Sequence, residues 1–242
     1  MITTRTETIT AADGGTFAGH VAVPASGHGP GMLVIQEIFG VNAYIRDVCD
    51  RLAAAGYVAL APDVFWRVRP GIEFDSSDQS TIAPAIEVTG QWDGEVGLAD
   101  LGSALGHLRG LPEVRGGTGV IGFCFGGTQT FRVAAAFDPA CAVAYYGSGT
   151  AGLLDQLDSI TCPLLFHFGD NDPYLPNSDV DAIKAATASR HHIAVHVHAG
   201  GGHAFDNHFA PHFTQPRIAV RAWTETLAFL YAHLGGPGQG GA

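Results

Sequence analysis

The chain has 242 residues, 46% of them hydrophobic, and a formal net charge of −11 at pH 7. This hydrophobic content is enough for one sizeable core, and the acidic charge argues against nucleic acid and anionic membrane surfaces as partners. No apolar run approaches the roughly 20 residues of a membrane span, and the first residues lack the basic and apolar regions of a signal peptide. Because the four cysteines are scattered, they are expected to be free thiols. We therefore expect a soluble cytoplasmic protein.

The predicted elements are an antiparallel hairpin followed by alternating strands and helices. The opening Thr/Glu alternation and residues 17–23 predict the hairpin, closed by a turn at 24–31. Further strands are predicted at 32–35, 58–61, 119–122, 142–146, 164–168 and 193–199. Helices are predicted at 44–55, 94–108, 125–137, 180–189 and 218–234. This alternation predicts an α/β protein with a mostly parallel central sheet and helices on both faces.

Two stretches lack this regular pattern. Residues 65–92 have no clear period and carry Pro, Gly and several acidic residues, which predicts a loop or small cap over one end of the sheet. The closing Gly-rich stretch 235–242 is expected to be disordered. Because the sequence shows no internal repeat and no second domain, one domain is expected over residues 1–234.

A cysteine lies between two glycines where a predicted strand meets a predicted helix, in the pattern Gly122-x-Cys124-x-Gly126. It resembles the G-x-S-x-G nucleophile elbow of α/β-hydrolases, with cysteine in place of serine. A sharp strand-to-helix turn brings backbones close together, so the positions two before and two after favour glycine. The helix N-terminus would also stabilise a thiolate and an oxyanion. The alternative interpretation is a buried structural thiol, because free cysteine is commonly buried.

Two later segments contain the partners that a nucleophilic thiol needs. Asp170 and Asp172 follow one predicted strand, and His203 follows the next. The order nucleophile, acid, histidine is that of α/β-hydrolases, and loops at the carboxyl ends of parallel strands meet at one edge of the sheet. His203 is expected to pair with the thiol while an aspartate orients its ring. Asp172, which precedes a proline, is favoured for that role, and Asp170 is expected to cap the loop or face solvent.

Four ordered motifs show a resemblance that covers nearly the whole chain: QEIFGVN at 36–42, GFCFGG at 122–127, GDNDPYLP at 169–176 and GGHAFDNH at 201–208. They resemble the dienelactone hydrolase (carboxymethylenebutenolidase) family, which are α/β-hydrolases with a cysteine nucleophile. The resemblance implies a catalytic triad of Cys124, Asp172 and His203. It also implies that Glu37 keeps the resting thiol neutral and takes its proton when substrate enters.

The resemblance further implies an oxyanion hole built from the backbone N–H groups of Ile38 and Phe125. The implied reaction is hydrolysis of a lactone or activated ester through a thioacyl-enzyme, with no cofactor. A glutamate that deprotonates the thiol only with substrate bound would protect the thiolate from oxidation. The expected partner is therefore a small-molecule ester or lactone.

The substrate-binding residues are less well defined by the sequence. Family members that act on dienelactone hold its carboxylate with arginines. Here residues 70–108 contain no Lys or Arg, and Asn207 occupies the position after the histidine where an arginine is expected. The sequence therefore predicts a substrate other than the usual dianionic dienelactone. Five side chains are candidates for contacting it: Tyr145, Trp92, Phe205, Arg67 and Arg69.

Histidines crowd the segment from His191 to His212. His196 and His198 alternate with valines, which places both on one face of a strand, and an H-x-H pair can bind zinc. No cysteine or acid completes the ligand spacing in the sequence, so a polar strand face is predicted and no metal is expected.

Two other functions are compatible with the same residues. A non-catalytic α/β-hydrolase-fold binding or sensor protein could keep the elbow while lacking the arginines. A redox-responsive protein could use the Cys124 thiol, although no resolving cysteine is near it in the sequence. A monomer is the expected oligomeric state, with a homodimer as the alternative.

Overall fold

Eight strands form one sheet in the computed structural model, which describes residues 1–235. The strands are β1 Thr3–Thr10, β2 Thr16–Val23, β3 Gly29–Ile35, β4 Val58–Pro62, β5 Val114–Phe123, β6 Cys141–Tyr145, β7 Leu164–Gly169 and β8 Ile193–His198. Their order across the sheet is β1-β2-β4-β3-β5-β6-β7-β8. β2 is antiparallel to both β1 and β4, and the other neighbours are parallel. The predicted mostly parallel sheet is confirmed.

The structure describes six α-helices: α1 Ala43–Ala54, α2 Ile82–Gly90, α3 Gly94–Gly110, α4 Phe125–Phe137, α5 Asn177–Thr187 and α6 Pro216–Leu234. Local chemistry explains where several begin. The Asn42 side chain accepts a hydrogen bond from Ile45 N at the start of α1, and Asp93 caps α3 in the same way. α6 begins at a proline, whose fixed φ suits a first helical turn. Within residues 1–235, no helix is both long and apolar enough to cross a bilayer.

Buried side chains cover both faces of the sheet. Alternate residues of β3 belong to different layers: Leu33 lies in the buried cluster that includes residues of α3, α4 and α5, whereas Val34 lies in the cluster that includes residues of α1 and α6. Strands buried on both faces are continuously apolar, as the central strands are here. The expected helices on both faces of the sheet are confirmed.

The structure differs from the sequence-based elements in several places, among them the first hairpin, the cap and the segment after β6. The hairpin of β1 and β2 turns at residues 11–15, and β3 already begins at Gly29, so the predicted turn at 24–31 is too long. The predicted cap at 65–92 contains α2 and a short 3₁₀ helix, Gln79–Thr81. A second 3₁₀ helix, Thr150–Ser159, follows β6. The predicted tail, apart from Gly235, lies outside the described residues.

The cap is fixed to the loop that follows β3. Gly40 and Glu73 form an isolated antiparallel bridge, and Phe74 N donates to Phe39 O at 2.9 Å. Gly40 has a φ of 82°, and a Cβ there would lie 1.9 Å from the carbonyl oxygen of Ile72, so only glycine fits. These contacts hold α2 beside the loop that carries Glu37.

Candidate active site

Cys124 occupies a strained turn between β5 and α4. Its φ is 54° and its ψ is −114°, a conformation that costs a non-glycine residue about 1–3 kcal/mol. A Cβ on Gly122 would lie 2.1 Å from Gly126 O, and a Cβ on Gly126 would lie 2.2 Å from Ile35 O. The two glycines therefore permit the close packing of β3, β5 and α4 that sets the cysteine at the end of the sheet. Cys124 N donates to Tyr145 O at 3.0 Å, which ties the turn to β6.

The loops after β7 and β8 bring an aspartate and a histidine to this cysteine. His203 Nε2 lies 3.1 Å from Cys124 Sγ, and His203 Nδ1 lies 2.7 Å from Asp172 Oδ2. Because an ionised carboxylate only accepts hydrogen bonds, Nδ1 carries a proton and Nε2 faces the sulfur. Tyr174 N donates to Asp172 Oδ1 at 2.8 Å and fixes the carboxylate. Cysteine, histidine and aspartate thus form one continuous hydrogen-bonded chain.

Asp170 has a different position from Asp172. Its side chain is exposed, and Oδ1 accepts a hydrogen bond from Gly200 N at 2.6 Å. This contact joins the loop after β7 to the loop after β8. Asp170 therefore braces the segment that leads to His203, while Asp172 contacts the ring.

His203 and Asp172 are buried, and Cys124 is partly buried. Burial alone would lower the pKa of His203, but Cys124 and the hydrogen bond with Asp172 raise it, so that it lies well above its ordinary value. A protonated imidazole beside the sulfur is the charge state that stabilises a thiolate.

Glu37 lies in the same cavity, directly after β3, with 1% of its surface exposed. Asn207 Nδ2 donates to Oε2 at 2.8 Å, and Oε1 has no hydrogen-bond partner among residues 1–235. Burial raises the pKa of Glu37 to about 7, against the opposing effects of His203 and Asn207. The carboxyl group therefore exchanges a proton near neutral pH. In this conformation Cys124 Sγ is hydrogen-bonded to His203 and Glu37 to Asn207.

Strained backbone concentrates around these side chains. Besides Cys124, Tyr146 has a φ of 37° and Ala204 a φ of 50°. Both are fully or nearly buried, and the ring of Tyr146 lies 5.3 Å from that of His203. Residues in rare backbone conformations persist where their surroundings hold them and are frequent at functional sites. This clustering marks the same region independently of the side-chain chemistry.

A cavity of about 170 Å³ opens above Cys124 and His203. Its remaining lining side chains are Glu37, Ile38, Phe39, Ile82, Ile86, Ser148, Tyr174, Ala204 and Phe213. Apolar groups predominate, and no Lys or Arg among residues 1–235 lines the cavity. A larger and more polar depression lies beside Arg109 and Asp138, but it contains none of the candidate catalytic residues.

A comparison of the chain with known protein families accounts for both the fold and this set of side chains. The family model described as "Dienelactone hydrolase family" matches residues 17–234. The chain belongs to the dienelactone hydrolase family. A carboxymethylenebutenolidase from a Pseudomonas species is 37% identical over 222 residues, which cover 92% of each chain.

A second relative and a solved structure agree with this assignment. Carboxymethylenebutenolidase 1 from Cupriavidus pinatubonensis is 32% identical over 222 residues, covering 92% of this chain and 94% of that protein. A solved structure from Klebsiella pneumoniae subsp. pneumoniae superposes with a TM-score of 0.80 at 27% identity, covering 94% of this chain and 98% of that chain. The α/β-hydrolase fold predicted from the motifs is confirmed.

The five predicted substrate-contacting side chains lie outside the cavity of this dienelactone hydrolase family member. Tyr145 and Phe205 are fully buried in the layer beneath it, and Trp92 packs edge-on against Phe125. Arg67 forms ion pairs with Asp100 and Asp13, at 2.7 and 2.8 Å, and exposed Arg69 does not reach the cavity. Aromatic residues near the motifs thus belong to the core, and the acidic partners hold Arg67 elsewhere.

Several cavity-lining residues were not predicted from the sequence. Ile82 and Ile86 are four residues apart on α2 and face the cavity together. That spacing is a weak helical signal within the irregular segment 65–92. Tyr174 lies inside a recognised motif, whereas Ser148 and Phe213 carry no pattern that would have identified them.

The predicted oxyanion-hole groups flank the cysteine in sequence and space. Phe125 is the first residue of α4, directly after Cys124, and Ile38 lines the cavity after Glu37. Among the described residues, neither backbone N–H has a hydrogen-bond acceptor. Both remain candidates for binding a developing negative charge.

Proposed function

We propose that this protein is a cysteine-dependent hydrolase of a small, neutral ester or lactone. The observation that carries the proposal is the hydrogen-bonded chain Cys124–His203–Asp172 on a strained strand-to-helix turn. The membership of the dienelactone hydrolase family supports the same reaction class.

The first half of the proposed reaction forms a thioester. The thiol proton passes to His203 Nε2, 3.1 Å away, and the resulting Cys124 thiolate, paired with the protonated imidazole, attacks the carbonyl carbon. The backbone N–H groups of Ile38 and Phe125 bind the oxyanion of the tetrahedral intermediate. The carbon–oxygen bond of the ester then breaks, and His203 gives its proton to the leaving oxygen.

The second half releases the acid and restores the thiol. Water gives a proton to His203 Nε2, and its oxygen attacks the thioester carbonyl. The carbon–sulfur bond breaks, and the proton returns from His203 to the sulfur. Asp172 holds the ring in the same tautomer throughout, through its 2.7 Å contact with Nδ1.

We assign Glu37 the role of an auxiliary proton acceptor for the thiol. Where substrate displaces the Cys124–His203 contact before attack, Glu37 takes the thiol proton in place of His203 and later supplies it to the leaving oxygen. Its pKa of about 7 and its unpartnered Oε1 suit this role. Asn207 keeps the carboxyl group at the cavity through its hydrogen bond to Oε2.

The substrate class follows from the cavity. An anionic substrate would need a cationic partner besides the catalytic imidazole, and no Lys or Arg of residues 1–235 lines the cavity. A volume of about 170 Å³ is below the ~300–1,000 Å³ of typical ligand pockets. We therefore propose a small acyl group without a carboxylate.

The chemistry is tested by hydrolysis of a short-chain p-nitrophenyl ester. We expect Cys124→Ala to lower kcat/KM at least about a thousandfold, because the nucleophile is removed. Cys162→Ala, which removes a buried thiol outside the site, should retain activity within about twofold. Unchanged turnover in Cys124→Ala would refute the proposed mechanism.

The substrate class is tested by comparing p-nitrophenyl butyrate with p-nitrophenyl hemisuccinate. We expect the wild type to prefer the neutral ester. Ile86→Arg adds a cation at a lining position that is 57% exposed, so it should shift the kcat/KM ratio toward the hemisuccinate by about tenfold. Val96→Arg, on the exposed surface of α3, serves as the control. A wild-type preference for the anionic ester would contradict the neutral substrate class.

If the protein were instead a non-catalytic binding protein, the same assays would give a different result. This alternative predicts no burst and no turnover across a broad ester panel, together with saturable binding of a ligand in the cavity. Measurable turnover that depends on Cys124 would exclude it.

A further inference from the structure

Three histidines share one face at the edge of the sheet, away from the cysteine. His167 on β7 and His196 on β8 are direct partners in the parallel register. His198 lies two residues further along β8, and side chains two apart on a strand point to the same face. His167 Nδ1 lies 3.0 Å from His198 Nε2. The register of two strands therefore concentrates imidazole nitrogens at one place.

Helix α6 adds a carboxylate to this face. Glu225 Oε2 lies 2.8 Å from His196 Nδ1 and 3.9 Å from His167 Nδ1. The ligand atoms of His167, His196 and Glu225 all lie within 4.8 Å of one another. Ligand atoms around tetrahedral zinc are about 3.4 Å apart, from bonds of about 2.0–2.1 Å. The separations of Glu225 Oε2 from the two histidine nitrogens, 2.8 and 3.9 Å, lie on either side of that value.

Outer contacts already orient these ligands. His167 Nε2 lies 3.0 Å from Thr226 Oγ1, which is 2.7 Å from the Tyr145 hydroxyl. Arg221 Nε donates to Glu225 Oε1 at 2.9 Å, which leaves Oε2 toward the histidines. Metal-binding histidines generally donate their second ring N–H to such a partner. Thr226 and Arg221 thus hold the His167 ring and the Glu225 carboxylate in place.

We propose that His167, His196 and Glu225 form a binding site for zinc or a similar divalent metal ion. Two imidazoles and one carboxylate are a common zinc donor set. The side chains of His196 and Glu225 are 42% and 25% exposed, so the cation can enter from solvent. On binding, the cation replaces the His167–His198 hydrogen bond, and His198 Nε2 is near enough to serve as a fourth ligand.

The cation would join three elements that support the catalytic loops. Asp172 follows β7 by three residues, and His203 follows β8 by five. A bound cation would fix β7, β8 and α6 to one another and so hold the strands from which both side chains project. Its role is structural, because it lies beneath the site and does not line the cavity.

The test begins with protein stripped of metal by a chelator. Titration with zinc chloride, monitored by isothermal titration calorimetry, should show one zinc site per chain. Cobalt(II) should give the visible absorption of a tetrahedral complex. His196→Ala and Glu225→Gln, both at partly exposed positions, should weaken zinc binding at least tenfold, and the control His191→Ala should not change it.

A second background separates this site from the catalytic thiol. In Cys124→Ala, zinc should bind with the wild-type stoichiometry, and zinc at a hundredfold excess over Kd should raise the melting temperature by about 5 °C or more. Loss of binding in Cys124→Ala would place the cation at the catalytic residues and overturn the proposal. The absence of binding, or binding that survives both His196→Ala and Glu225→Gln, would overturn it equally.

Discussion

At Cys124 the surrounding hydrogen bonds hold a backbone conformation that few residues adopt. Cys124 N donates to Tyr145 O, and Gly127 N donates to Cys124 O at 2.9 Å. Together with the glycines on either side, these contacts offset a strain of about 1–3 kcal/mol. The result is a sulfur that is only partly buried and faces an imidazole, in contrast to the three buried cysteines elsewhere.

Glu37 determines a pH dependence of stability at the residue scale. Its pKa is about 7 in the folded protein and near 4.5 when exposed, so between these values the folded state holds a proton that the unfolded state has lost. Stability therefore falls as pH rises through this window, by about 3 kcal/mol in total.

We predict that Glu37→Gln removes this component. Between pH 5 and pH 8, the free energy of unfolding of the variant should rise relative to that of the wild type, as measured by urea denaturation. Glu87→Gln, at an exposed position on α2, should follow the wild type. Parallel curves for wild type and Glu37→Gln would show that Glu37 is not protonated near neutral pH.

At the scale of elements, the junction of β3, β5 and α4 depends on Gly126. A Cβ there would lie 2.2 Å from Ile35 O and 2.6 Å from Gln36 O, both backbone atoms at the end of β3. Neither can move without shifting the loop that carries Glu37. The junction thus leaves no room for a side chain at Gly126.

We predict that Gly126→Ala lowers the free energy of unfolding by about 3 kcal/mol. Gly106→Ala is the matched control, because Gly106 lies within α3 with no atom within 4 Å of an added Cβ. That substitution should be neutral or stabilise the protein by up to about 1 kcal/mol. Equal effects of the two changes in chemical denaturation would contradict the packing described here.

The elements that the sequence predicted are those with a strong local signal. α4 was predicted with its observed bounds, since glycines mark its start and apolar residues recur along one side. α2 was missed because only Ala85 of its nine residues is buried, so its hydrophobic period is weak. The 3₁₀ helix Thr150–Ser159 has a similar explanation, with only Thr150 and Leu157 buried.

At the scale of the whole molecule, parallel strand order explains why the catalytic candidates could be predicted. Cys124, Asp172 and His203 each follow a strand whose carboxyl end lies at the same edge of the sheet. The cavity wall could not be predicted in this way. Ile86 and Phe213 reach the cavity through the arrangement of α2 and of the segment before α6, which depends on tertiary contacts rather than on local pattern.

The net charge of −11 gives a prediction for the molecule as a whole. Negative potential should repel an anionic ester, and salt should screen that repulsion. We expect kcat/KM for p-nitrophenyl hemisuccinate to rise about threefold between 10 and 300 mM sodium chloride. The value for p-nitrophenyl butyrate should stay constant. A decrease in kcat/KM for the hemisuccinate with added salt would contradict this prediction. It would indicate attraction to a cationic group, whereas no Lys or Arg of residues 1–235 lines the cavity.

In the proposed reaction, Cys124 carries the acyl group during turnover. Wild-type protein mixed with an activated ester and acid-quenched within milliseconds should show an intact mass increased by one acyl group. Peptide mapping should place that group on Cys124, and Cys124→Ala should show no adduct. An acyl group on another residue, or full turnover by Cys124→Ala, would contradict the account.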